Sequence, residues 1–75
     1  MKANVKSDRP KAVDTLVNIT EIVLQHRGED KPRLTTVARV TNRASGLLRY
    51  DNLDERLETE NAATVQIAKK HGLMS

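Results

Sequence analysis

Apolar residues recur through Pro10–Arg27 at helical spacing, and this stretch constrains the fold more than any other. Ala12, Leu16, Ile19 and Val23 fall at three- and four-residue steps, and Val13, Val17 and Leu24 widen the same face. With Ile22 on the far edge, the apolar arc reaches roughly 220° at about 100° per residue, more than a small domain needs from one helix. Such a helix is either central to a bundle or meets another protomer along one edge. Its ends carry matching signals. Asp8 suits an N-cap and Pro10 the first turn, where its missing N–H costs nothing. His26 and Arg27 suit the negative end of the helix dipole, and Gly28 suits the C′ position.

The rest of the chain offers little to build a core from. Of 75 residues, only Tyr50 is aromatic and none is cysteine. Disulfides and thiolate metal sites are excluded, and the core must consist of Leu, Ile, Val and Ala. A core of this size rarely supplies more than roughly 3–5 kcal/mol. A homodimer or other partner is therefore expected, with Val13, Val17, Ile22 and Leu24 as the candidate dimer or partner interface. No apolar run approaches the ~20 residues that span a bilayer, so no membrane partner is expected. Residues 1–8 carry positive charge without an apolar stretch, which does not fit a secretory signal and predicts a cytoplasmic protein.

Further along, Gly28–Pro32 reads as a loop. Leu34–Thr41 has β-branched content that leaves strand open, but Leu34, Val37, Ala38 and Thr41 share a helical face, and the one other candidate strand to pair with it is the Thr64-Val65-Gln66-Ile67 run. Asn42 suits a tight turn. Ala44–Tyr50 then reads as a short helix with Ala44, Leu47 and Leu48 inward. Asp51 reads as the N-cap of a last helix, continuous or restarting near Thr59, that stops at Lys69-Lys70-His71-Gly72. The expected fold class is all-α: a small bundle of three to four helices containing a helix-turn-helix-like pair. Residues 1–8 would form a flexible basic arm, residues 9–72 a single helical domain and residues 73–75 a tail.

Charge is unevenly placed. From Lys31 to Tyr50 there are five bases (Lys31, Arg33, Arg39, Arg43, Arg49) and no acid; from Asp51 to Glu60 there are five acids and one base, Arg56. An arginine stripe without neighbouring acids is a footprint for a polyanion, or for an acidic protein surface.

The segment Thr36–Tyr50 resembles a helix-turn-helix DNA-binding unit. Val37-Ala38 stand where that family packs its first helix, Asn42 where it turns, Ala44-Ser45 where the recognition helix opens, and Leu48 where that helix is anchored. Ser45–Tyr50 is also similar to the end of the TetR-type version, which a long helix ending near Gly precedes. The pattern departs at Arg43, where the family usually buries an apolar residue, and at Val40, where it usually exposes a polar one. The resemblance implies that Ser45 and Arg49 face base edges and that Arg33, Arg39 and Arg43 contact phosphates of double-stranded DNA. Lys2, Lys6, Arg9 and Lys11 would line the backbone or minor groove.

Catalysis is not expected. His26 and His71 lie far apart with no His-x-x-x-His pair, Gly28, Gly46 and Gly72 are isolated, and no Ser has a recognisable base. No metal and no cofactor are expected. Two functions follow: a small DNA-binding transcriptional regulator acting as a dimer, or a small helical factor that docks on a protein partner without binding nucleic acid.

Overall fold

A computed structural model describes residues 8–74, with side chains from Lys11 onward. Three helices follow one another: α1 (Asp8–His26), α2 (Leu34–Ser45) and α3 (Leu53–Lys70), each packed on the other two. The chain is all-α, and no strand occurs among the described residues.

The wide apolar face of α1 is explained by its central place. Leu16, Thr20 and Leu24 are buried at four-residue steps and form its innermost stripe. Val17, half-buried, touches both core clusters. One cluster gathers Leu24, Val37, Val40 and Ile67; the other gathers Leu16, Ala44 and Ala63. Val13, Ile19 and Leu48 cover the second, while Val17 and Leu73 cover the first. Leu73 therefore belongs to the packed domain rather than to a tail.

α1 and α3 end in the same way. Gly28 and Gly72 take φ of 80° and 73°. At α1, Gly28 N donates to Gln25 O at 2.9 Å and Glu29 N to Leu24 O at 3.1 Å; at α3, Gly72 N donates to Lys69 O and Leu73 N to Ala68 O. These paired bonds satisfy carbonyls that a helix end otherwise leaves open, and the positive φ they need is cheap only for glycine. The N-cap of α3 is Asn52, not Asp51: its extended backbone lets its side chain accept from Glu55 N at 2.7 Å. Either residue type can cap, and the chain uses the one three positions before Glu55. α3 does not restart at Thr59, whose buried hydroxyl donates back to Glu55 O at 2.9 Å inside one continuous helix.

α2 differs from expectation in a way that bears on function. It runs unbroken across Asn42 to Ser45, and Val37, Val40, Thr41, Ala44 and Ser45 form its buried stripe. Asn tolerates a left-handed turn but does not require one, and a turn at 42 would rotate Ala44 and Ser45 away from the core. Val40 inward and Arg43 outward, the two departures from the helix-turn-helix pattern, are what a continuous helix demands. The expected helix at Ala44–Tyr50 is absent. Beyond Ser45 the chain makes one tighter turn, with Gly46, Leu47 and Leu48 N donating to Arg43, Ala44 and Ser45 O at 3.2, 2.9 and 3.2 Å. It then runs irregularly through Arg49 and Tyr50.

Candidate docking groove and the arginine stripe

The basic residues do not converge on one recognition helix. Arg39 and Arg43 sit one turn apart on the exposed side of α2; Arg33 is exposed just before α2, Arg49 on the irregular connection after it, and Lys11 on the first turns of α1. Lys2 and Lys6 lie outside the described residues, as does the side chain of Arg9, whose backbone lies in the first turn of α1. Ser45 cannot face a base edge. It is fully buried, and its hydroxyl shares one hydrogen between Glu60 Oε2 at 2.5 Å and Asn42 O at 2.7 Å. Arg56 Nε donates to both Ser45 Oγ at 3.2 Å and Glu60 Oε2 at 2.9 Å. A small polar residue near the end of an amphipathic helix thus fastens α2 to α3.

Tyr50 lies beside this node. Its hydroxyl is shielded from water and unpartnered. Burial, and next the Glu60 carboxylate, push its pKa above the ordinary tyrosine value, against the opposing pull of Arg56. At the other end of the bundle, Lys70 Nζ donates to Glu21 at 2.9 and 3.1 Å, and His71 Nε2 lies 3.7 Å from the same carboxylate. That cluster joins the end of α3 to the middle of α1.

The interface residues expected on α1 divide. Leu24 is 2% exposed and belongs to the core, and Val13 and Val17 are half-buried against other helices. These three are consumed by the chain's own bundle, because the apolar arc must serve both α2 and α3. Ile22, 64% exposed, remains open to a partner.

Beside it runs an open groove of about 480 Å³ between α1 and α2. Its apolar surface comes from Ile19 and Val23 on α1, Val40 and Ala44 on α2, and Leu47 just past the end of α2. Arg27, Arg39 and Arg43 also line it. Arg27 pairs loosely with Glu29 at 3.4 Å, whereas neither Arg39 nor Arg43 forms an ion pair among the described residues. The sequence signalled half of this groove through the apolar arc of α1. It did not signal Leu47, which an Ala44–Tyr50 helix would have turned inward and which is 76% exposed.

Among the described residues, no His, Cys, Asp or Glu side chains cluster in a way that could hold a metal ion, and no helix is long and apolar enough to cross a membrane. No protein-family model, curated protein or solved structure matches this chain.

Proposed function

We propose that this chain is a small helical interaction factor whose α1–α2 groove receives an amphipathic helix, acidic along its flanks, from a protein partner. One observation carries the reading: an open apolar groove is lined by three arginines, two of which have no acidic partner among the described residues. An amphipathic helix lays its apolar side into such a groove, while acidic residues beside that side meet the arginines. The test is a fluorescence-polarisation titration with synthetic amphipathic helices, roughly 15 residues long so that helix formation is affordable. One probe carries glutamates beside its leucines, the other lysines. The glutamate probe should bind and the lysine probe should not. Arg39→Glu with Arg43→Glu should weaken the first about tenfold or more. Equal binding of the two probes, or none, refutes the proposal.

A second reading, a small DNA-binding regulator acting as a dimer, draws on a different observation. Arg33, Arg39, Arg43 and Arg49 are all exposed, and none is ion-paired among the described residues. With Ser45 buried and Ala44–Tyr50 not helical, these arginines would hold phosphates rather than read bases. Duplex binding in a salt series should then give a log–log slope near about −4, and a flat response dismisses it.

A further inference from the structure

A helix of the chemistry that the groove calls for is present in the chain itself. The first turns of α3 leave Leu53 65% and Leu57 48% exposed, four residues apart and so on one face. Asp51 and Asp54 are exposed beside them, as is Glu58. α3 packs within its own bundle through Thr59, Ala63, Ile67 and Ala68, and neither Leu53 nor Leu57 lines the groove of the same chain. Among the described residues, the packing thus leaves two apolar faces uncovered, one edged with arginine and one edged with acid.

We propose that these faces are the two halves of an interface between copies of the chain. The Leu53–Leu57 ridge of one copy seats against Ile19, Val23, Val40 and Leu47 of another, with Asp51 and Asp54 facing Arg39 and Arg43. The proposal rests on the helix-docking reading of the groove and names the helix that fills it. Opposite charges fix the pairing, since a groove meeting a second groove, or a ridge a second ridge, sets like charges together. Covering Leu47, Leu53 and Leu57 also withdraws three of the four most exposed large apolar side chains among the described residues from water, which is the driving force of association.

Sedimentation equilibrium of the full chain, from micromolar to millimolar, tests this with two charge reversals. Arg39→Glu/Arg43→Glu alters the groove, and Asp51→Lys/Asp54→Lys alters the ridge; circular dichroism checks that each is folded. The natural chain should self-associate, and each reversal alone should weaken association about tenfold or more. An equimolar mixture of the two should recover it, because every groove–ridge pairing across the mixture is complementary. Leu47→Gln, at a side chain outside the core, should weaken association without lowering the melting temperature. A natural chain that stays monomeric at millimolar concentration overturns the proposal, as does self-association indifferent to both reversals or a mixture that does not recover. A monomer that still binds the glutamate probe leaves the docking reading standing, whereas loss of both removes both.

Discussion

The continuity of α2 through Asn42 sets the order of stability of two substitutions at that position. Asn42 is exposed inside α2, and its side chain makes one long contact, accepting from Arg56 Nη2 at 3.5 Å. Ala and Gly both remove that contact, so the difference between the two variants is independent of its worth. In a helix interior Ala is favoured over Gly by about 0.8–1.0 kcal/mol. For a domain of 60–100 residues, 1 kcal/mol moves the melting temperature by roughly 4–8 °C. Asn42→Ala should therefore melt about 4–8 °C above Asn42→Gly, followed by circular dichroism at 222 nm, with urea midpoints in the same order. A left-handed turn at 42, as a helix-turn-helix would place there, reverses the sign, because Cβ costs roughly 1–2 kcal/mol in that conformation. A glycine variant more stable than the alanine variant would refute the continuous helix, and with it the burial of Ser45 and the exposure of Leu47.

Other expectations follow from the packing. Ser45→Ala removes the hydroxyl that Glu60 and Arg56 share and should cost about 1–2 kcal/mol in urea unfolding, since hydrogen bonds to charged groups exceed the usual value; no loss would mean that the node is ornamental. Ile67→Ala empties a fully buried position and should cost about 2–5 kcal/mol. That is comparable with all the stability a core of this size supplies, so the variant should show little helical signal at 25 °C. Thr20 is buried with an unpartnered hydroxyl, so Thr20→Val, of nearly equal shape, should raise the urea midpoint, by about 1 kcal/mol of stability. Tyr50, held neutral by burial and by Glu60, should titrate above pH 10 when followed by its ultraviolet absorbance. The sign is that of an acid whose pKa is higher folded than unfolded: the unfolded chain loses its proton first, so stability falls as pH rises above 10. Tyr50→Phe should remove that part of the alkaline loss.

Some of this was readable residue by residue. The ends of α1 and α3 follow from Gly28 and Gly72, because a positive φ and the bonds that go with it are local properties. The start of α3 was placed within one residue, Asn52 capping where Asp51 was expected. The inward side of α2 was less legible. Val40 and Thr41 continue a helical stripe past Asn42, yet a residue that permits a turn looks the same on paper as one that makes it. Ser45 was misplaced for a related reason. It was expected at a base edge, and whether such a side chain is buried depends on a partner, here Glu60, supplied by another helix.

The sequence alone determined that the chain is helical, that its core is aliphatic and small, and that α1 carries more apolar surface than one contact can use. These are consequences of spacing and composition, which act within a few residues. Only the tertiary structure decided how that surface is divided: Leu24 and Val17 go to the bundle, while Ile22 stays exposed and Val23 lines an arginine-edged groove. Burial is a competition among all three helices for the same interior. A periodic pattern states how many residues compete, and only the packed bundle states which of them win.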